Sequence, residues 1–457
     1  GFKPQAGLFG QQNLTAPGWG YVTGWQQPTD EWLDVAARNR YISDDLYQTR
    51  PVLSGYTQNA DARLTLEPFT DFQITVEANR VFTKNHTQEF RDTLQDNNYN
   101  LVHTSVNDAG SFTTSFFAAN TIFKATDDNT LFATFMSNRA VVSQTLGAGA
   151  PDYPDKPGFK EGYGPLNRDV LVASFLSAYT GSDPAQAAKT NLFKILPQLN
   201  WRLNYNGLTK LGIFRDVFQS LNLTHGYKST LTVNQYTTNG DFSTRNPKQF
   251  VKDNQDQLYD YYPEYRIPAI VINEQFSPLF GLDAQLKSGM RFGVNYKKSR
   301  NLALTLGDTR LSESKTTEIT VSFGHTMKNV HIPFLMPKQI KPKKPKKGAK
   351  PEEGGIKINL GDPTDPQGKK KVGNDLKLDF SLSWNDRITQ NRELGQGSVI
   401  PSSGSKALRL SPSASYTLNS NLDLRLFFDY NKTIPYTTAA FNNVDARGGV
   451  TVTFKLK

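Results

Sequence analysis

The C-terminal stretch Leu408–Lys457 contains two runs in which apolar and polar side chains alternate. Apolar residues occupy the even positions of 422–430 and again of 450–456. Successive side chains of a β-strand point to opposite faces, so each run forms one apolar and one largely polar face. Strands of about 10 residues with this alternation are typical of outer-membrane β-barrels. A soluble sheet with one solvated face has the same pattern, so this hairpin alone leaves both folds open.

Similar runs recur along most of the chain and predict roughly 14 strands. They cover 62–79, 111–117, 198–205, 221–233, 266–273, 280–286, 290–296, 301–306, 316–326 and 376–384. Lys, Arg, Asp and Glu often occupy the polar positions, where the interior of a soluble protein would reject them. A water-filled lumen accepts such charges, so the pattern favours an all-β, transmembrane antiparallel barrel wall.

The alternation also assigns side chains to the two faces of this wall. Predicted to face lipid, or to form the aromatic girdles at its surfaces, are Trp201, Tyr205, Tyr296, Trp384, Tyr416, Leu424, Phe428, Val452 and Phe454. Predicted to face the lumen are Arg202, Asp379, Asp423 and Arg425. The Trp and Tyr residues fall near the ends of runs, where amphipathic rings prefer the membrane–water interface.

Composition excludes a helical membrane protein and locates the positive charge. The mean hydropathy is −0.53, and no apolar run approaches the about 18 residues that a spanning helix needs. The net charge is +10, yet 338–373 alone holds eleven Lys against four Asp and Glu, which gives +7. No aromatic side chain is interleaved with these lysines, so nucleic-acid binding is not expected. A solvated, disordered segment accounts for the charge.

The pattern divides the chain into six segments. They are an N-terminal loop and short-helix segment (1–60), barrel strands (61–118), a helical and loop insertion (119–195), barrel strands (196–330), a basic disordered periplasmic linker (331–374) and C-terminal barrel strands (375–457). Helical spacing predicts helices over Asp30–Asn39, Thr130–Leu146 and Asp169–Tyr179. The polar stretches Thr83–Asn107 and Asn239–Tyr262 are predicted to be loops, and Lys297–Arg300 is predicted to connect two strands.

Bacterial barrels keep their C-terminus in the periplasm, which predicts the orientation of the connections. The turn Asn419–Asn421 and the basic linker are then periplasmic, and Ile388–Ser405 lies on the outer side. The chain begins at Gly1 with no Met and no apolar leader, so we expect a processed or truncated product.

No catalytic or metal-binding motif is found in the sequence. The histidines are scattered without an i,i+4 pair, at His86, His103, His225, His325 and His331, and no Gly-x-Ser-x-Gly is present. Asp253–Asp260 contains three aspartates but lacks the Gly and the terminal Glu of a calcium loop. With no Cys there is no disulfide and no thiolate site. We expect neither enzyme activity nor a cofactor.

Several stretches match a known family in sequence and in order. They are Ala16–Gly20 (APGWG), Asp34–Asn39 (DVAARN), Leu66–Phe69 (LEPF), Gly162–Pro165 (GYGP), Asn200–Leu203 (NWRL), Ile267–Leu279 (IPAIVINEQFSPL), Lys298–Leu304 (KSRNLAL) and the hairpin Tyr416–Arg425. Through them the chain resembles the SprA (Sov) family, the outer-membrane translocon of the type IX secretion system. The resemblance covers essentially the whole chain and matches the C-terminal part of a much larger protein.

This resemblance implies a very large barrel through which folded cargo crosses the outer membrane of Bacteroidetes. The family's barrel has a lateral opening, closed by a PorV-type shuttle barrel or by a periplasmic plug protein. The implied partners are therefore the N-terminal remainder of the translocon, the shuttle barrel, the plug protein, secreted cargo and outer-membrane lipid.

Two alternatives remain open at this point. A smaller nutrient porin or receptor barrel would have to close within this chain, because open strand edges cannot face lipid. A surface adhesin or structural β-protein would be soluble without detergent.

Overall fold

The computed structural model describes residues 29–38, 50–92, 101–124, 129–154, 156–243, 246–252, 258–330, 332, 374–394, 399–419, 421–437 and 440–454. The strands in these ranges are β1 (Val52–Phe69), β2 (Phe72–Asp92), β3 (Leu101–Ser115), β4 (Asn200–Tyr205), β5 (Phe218–Thr238), β6 (Phe250–Lys252), β7 (Leu258–Tyr261), β8 (Tyr265–Arg266), β9 (Ala269–Leu286), β10 (Met290–Thr305), β11 (Arg310–Met327), β12 (Leu376–Glu393), β13 (Val399–Asn419), β14 (Leu422–Pro435) and β15 (Asn443–Phe454).

The helices are short and few by comparison. They are α1 (Thr29–Arg38), α2 (Thr130–Leu146), α3 (Arg168–Thr180), α4 (Pro184–Lys189) and α5 (Gly212–Arg215), with 3₁₀ turns at Leu192–Lys194 and Gly207–Lys210. The predictions of α1, α2 and α3 are confirmed to within a residue at each end. In the described part of the chain, no helix has both the length and the apolar character needed to cross a membrane.

A single antiparallel sheet of 13 strands makes up most of the fold. Its order is β1-β2-β3-β5-β9-β10-β11-β12-β13-β14-β15, so strands that follow one another along the chain lie side by side. β6 and β7 form a separate two-stranded sheet. This up-and-down order is that of a barrel wall, and the predicted fold class, an all-β antiparallel wall with helical and loop insertions, is confirmed. Within the described residues, β1 and β15 each pair with one strand only.

One strand position in the sheet is shared by two segments. β3 pairs with the half of β2 from Arg80 to Asp92, and β4 pairs with the half from Phe72 to Glu77. β5 completes both halves from the other side. Residues 116–199, here called the insertion, leave the wall between these halves. The Gln198 N–H donates to the Ser115 carbonyl at 2.9 Å, which closes the branch point.

The insertion packs on the sheet through α2 and α3. Phe135 and Phe175 on the helices are fully buried against wall residues, among them Leu231, Ile272 and Leu304. Each such side chain contributes about 1.5–3 kcal/mol of burial free energy. α3 is buried along almost its whole length, and its ends are well defined, because the Asn167 side chain accepts from the Asp169 N–H and Gly181 adopts φ 73°.

The strands are longer than their hydropathy suggests. The loop predicted at Thr83–Asn107 is wrong, because β2 continues to Asp92 and β3 begins at Leu101. The connection predicted at Lys297–Arg300 is also wrong, since these residues lie inside β10. In both places polar residues occupy both faces of the sheet. The alternation of apolar and polar side chains is therefore lost, although the backbone hydrogen bonds between the strands continue. The stretch Asn239–Tyr262, predicted to be a loop, contains β6 and β7.

Candidate functional site

The pairing register assigns every strand residue to one of two faces. Residues directly opposite each other in an antiparallel pair point to the same side. Tyr296 pairs with Ile319, Ile319 with Trp384, and Trp384 with Leu408, so these four side chains share one face. We call it the belt face, and the opposite side the polar face.

The belt face is apolar near the end of the sheet that holds the Leu286–Met290 and Asn419–Leu422 turns. On β12 all five positions from Leu376 to Trp384 are apolar. Exposed members of this belt on other strands include Leu64, Leu66, Phe280, Phe292, Phe323, Leu426, Phe428, Val450, Val452 and Phe454. About nine residues at about 3.3 Å each, tilted by about 40°, span roughly 20–25 Å, which matches the apolar band of an outer-membrane barrel.

The polar face carries hydrophilic side chains along the same strands. On β12 it presents Asp379, Ser381, Ser383, Asn385 and Arg387, in strict alternation with the belt. Opposite charges meet across strands here: Arg291 Nη2 lies 3.6 Å from Asp379 Oδ1, and Lys297 Nζ lies 3.6 Å from Glu318 Oε1. The four side chains of these pairs are 33–59% exposed, so such pairs are worth less than about 1 kcal/mol each. The face is therefore suited to contact water.

The register places the predicted site residues as follows. Trp201, Tyr205, Tyr296, Trp384, Tyr416, Leu424, Phe428, Val452 and Phe454 lie on the belt face, and Arg202, Asp379, Asp423 and Arg425 lie on the polar face. The four charged residues do not form one cluster, because they are spread over β4, β12 and β14.

Tyr416 is covered by protein and Trp201 is partly covered, in contrast to the prediction that both face lipid. Tyr416 is only 3% exposed, and its hydroxyl donates to the Val330 carbonyl at 2.8 Å. Trp201 stacks on Tyr227 with ring centroids 4.7 Å apart and contacts Phe117 of the insertion. The register places both rings on the belt face, and alternation along a strand carries no information on the segments that cover them.

The first part of the insertion, residues 116–124, crosses the belt face over several strands, and we call it the strap. The Phe116 N–H donates to the Ser229 carbonyl on β5 at 3.0 Å, and the Ala118 N–H donates to the Tyr227 hydroxyl at 2.9 Å. At its far end, Lys315 of β11 donates from Nζ to the Lys124 carbonyl at 2.9 Å. The strap therefore spans β5, β9, β10 and β11, about 15 Å at the usual strand spacing.

Five charged side chains lie buried between the wall and the insertion: Glu274, Arg300, Glu313, Lys315 and Arg392. Arg300 donates from Nη2 and Nε to Glu274 Oε2 at 2.7 and 3.0 Å. Glu313 Oε2 accepts a hydrogen bond from Arg392 Nη1 at 2.9 Å, and Glu313 Oε1 lies 3.1 Å from Lys315 Nζ. Unpaired, each charge would cost several kcal/mol at this depth.

The insertion completes the coordination of these wall charges. Arg300 Nη2 also donates to Thr121 Oγ1 at 2.8 Å. The Tyr179 ring lies 5.8 Å from the Arg300 guanidinium, and the Phe132 ring lies 5.4 Å from that of Arg392. Burial, together with the Glu313 carboxylate, raises the pKa of Tyr179.

Sequence reasoning missed this charge cluster, although a signal for it exists. Glu274 and Arg300 sit at belt-face positions, where the alternation of β9 and β10 would otherwise place apolar residues. Both lie within stretches that carry the family resemblance, Ile267–Leu279 and Lys298–Leu304. A charge at an apolar position of a half-buried strand predicts a covering segment, because hydrocarbon would not tolerate it.

The Gly162–Pro165 stretch ties the insertion to β7. Gly162 has φ +84°, and a Cβ there would lie 2.0 Å from the Tyr261 ring, so only glycine fits. The Gly164 N–H donates to Asp260 Oδ1 at 2.6 Å. Burial raises the pKa of Asp260, and this hydrogen bond partly offsets the effect. The motif is thus explained by close backbone approach.

Several predicted features lie outside the described residues. They are Ala16–Gly20, Asp253, Asp256, His331 and the basic linker between 333 and 373. The two sides of the linker meet at the belt end of the sheet, where the Val330 N–H donates to the Asn374 carbonyl at 2.9 Å. Where side chains are described, no group of three or more His, Cys, Asp or Glu is placed to hold a metal ion.

Comparisons with known proteins give no family assignment. No protein-family model and no curated sequence matches the chain. Among solved structures, in-vitro folded OmpT of Vibrio cholerae in its trimer form, an outer membrane protein, is similar over 89% of this chain and 99% of its own, with 9% identity and a TM-score of 0.19. Outer-membrane expressed OmpT of Vibrio cholerae is similar over 89% of this chain and 98% of its own, with 8% sequence identity and a TM-score of 0.18. Such TM-scores carry no argument, so the fold assignment rests on the chain's own strand pairing.

Proposed function

We propose that this chain is a section of the wall of a large outer-membrane barrel that conducts folded proteins, as the type IX secretion translocon does. One observation carries the proposal: an exposed apolar belt of bilayer thickness lies on one face, and the opposite face is polar along the strands. Outer-membrane barrels divide lipid-facing and lumen-facing residues in this way. The polar face then lines the passage and needs no catalytic residue.

The open edges of the sheet support a barrel larger than this chain. Within the described residues β1 and β15 each pair with one strand, and strand edges without partners cannot be left in hydrocarbon. The resemblance to the translocon family supplies a source for the closing strands, the N-terminal remainder of the same protein. In this proposal the further partners are a PorV-type shuttle barrel, a periplasmic plug protein and secreted cargo, in the outer membrane of a Bacteroidetes-type bacterium.

Labelling with a lipid-restricted probe tests which face meets the bilayer. The labelling is done in the full-length protein, and because residues 1–457 contain no Cys, each introduced Cys is the only thiol in this section of the wall. We expect Leu378→Cys and Phe380→Cys to react with a thiol probe confined to the bilayer. The neighbouring variants Asp379→Cys and Ser381→Cys, on the polar face, should react with a water-soluble maleimide instead. The reverse pattern would place the passage on the wrong face and overturn the proposal.

The closure of the barrel can be tested by the behaviour of the isolated chain. Residues 1–457 alone, refolded in detergent, are expected to give no closed, heat-resistant barrel, because β1 and β15 do not pair with each other in the described sheet. The full-length protein, purified from membranes, should give one heat-resistant assembly of much greater mass. A stable closed barrel formed by residues 1–457 alone would favour a smaller porin or receptor instead.

A further inference from the structure

We propose that the strap and the returning end of the insertion, residues 195–199, rest on the lipid headgroup layer and hold the insertion against the outside of the wall. This inference rests on the proposed function, because it takes the belt to be the lipid-facing surface. The partner is thus the membrane surface itself, recognised by apolar side chains flanked by lysine.

The strand register puts the insertion on the belt face. Phe292, Tyr296, Leu302 and Leu304 are all even positions of β10, and the β10–β11 pairing runs through them without a register shift. They therefore point to the same side, yet Leu302 and Leu304 are buried in the core beneath the insertion. The belt and the insertion therefore lie on the same face of the sheet. The belt occupies the part near the Leu286–Met290 turn, and the insertion covers the part farther from that turn. In a closed barrel this is the exterior and not the lumen.

The strap marks the level at which the belt ends. On β10 the last aromatic ring of the belt is that of the half-buried Tyr296, and the next belt-face positions are Lys298 and Arg300. The chain branches from the wall at Ser115, close to the same level, as the Tyr227 contact of Ala118 shows. Irregular backbone is not tolerated facing hydrocarbon, because its polar groups would lack partners. The branch and the strap therefore lie at the membrane–water boundary.

The side chains exposed at this level are of the types that favour the membrane–water interface. Phe123 of the strap is 52% exposed. The centroid of its ring lies 5.4 Å from that of Phe276 and 5.1 Å from Lys298 Nζ. Leu196 in the returning end is 78% exposed. Exposed Lys124 adds a second cation beside Phe123. Aromatic rings with nearby lysines favour the headgroup region, where each Lys gains about 1 kcal/mol from anionic lipid.

Depth-dependent fluorescence quenching tests the contact. Phe123→Cys and Leu196→Cys would carry an environment-sensitive fluorophore in the full-length protein, reconstituted into vesicles containing phosphatidylglycerol. We expect headgroup nitroxide lipids to quench most of the fluorescence at both positions. Val141→Cys, exposed on α2 towards the end that contacts 158–164, should keep its fluorescence. Phe380→Cys, in the belt, should be quenched by mid-chain nitroxide lipids.

The outcomes separate this inference from the function on which it rests. If Phe380→Cys is quenched by mid-chain nitroxide while Phe123→Cys and Leu196→Cys resemble Val141→Cys, the insertion does not touch the membrane and the inference fails alone. If Phe380→Cys is not quenched by any lipid-borne nitroxide, the belt is not in the bilayer and the proposed function fails as well.

Discussion

Phe380→Arg is expected to prevent stable assembly of the wall in the membrane. Phe380 is the middle one of the five belt positions on β12, and its side chain is exposed on that face. An arginine facing lipid at the bilayer midplane costs about 2–4 kcal/mol. That is a large fraction of a folding free energy of about 5–15 kcal/mol. The measurement is the amount of heat-resistant protein in the outer-membrane fraction, together with the urea midpoint after reconstitution.

Ser381→Arg provides the matched control for this substitution. Ser381 is the next residue on the same strand, and it points to the polar face. Its replacement by arginine should change stability by less than about 0.5 kcal/mol, because the new charge remains in water. Equal assembly of the two variants would mean that the belt does not contact hydrocarbon.

Arg300→Met should release the insertion from the wall. The substitution takes the guanidinium away from the buried Glu274 carboxylate, which keeps the hydrogen bond from the Tyr227 hydroxyl, and it removes the bond to Thr121. Breaking one side of a buried ion pair typically costs about 3–5 kcal/mol. Amide hydrogen exchange in the strap and in α3 should therefore become faster by about a hundredfold or more, since local opening sets the exchange rate.

Two further variants separate a buried-charge effect from general damage. Arg291→Met removes an exposed pair with Asp379 on the polar face, and should cost less than about 1 kcal/mol. The double variant Arg300→Met with Glu274→Leu leaves no unpaired charge, so it should recover much of the lost protection. The amide exchange rate in the strap is compared between Arg300→Met and Arg291→Met. Equal rates in the two variants would show that the buried pair does not hold the insertion.

Sequence patterning worked best where the surroundings differ most on the two sides of a strand. Leu376–Trp384 alternates without exception and Leu422–Tyr430 alternates except at Phe427, and the two runs lie inside β12 and β14. There one face is apolar and exposed and the other is hydrated, so only alternation is stable. In the polar upper half of β2 and β3 this contrast disappears. The His86–Asp108 contact of 2.6 Å shows polar groups paired across these strands on the belt face.

The sequence by itself determined which side of a strand a residue occupies within the alternating runs, and where the longer helices lie, because these follow from local periods of 2 and 3.6 residues. Only the tertiary structure decided that the insertion splits one strand position and lies on the belt face. It also brought Glu274, Arg300, Glu313, Lys315 and Arg392 together under the strap. Arg300 and the Ala118 carbonyl that it contacts are 182 residues apart. Such contacts depend on strand register across the whole sheet, which no local pattern encodes.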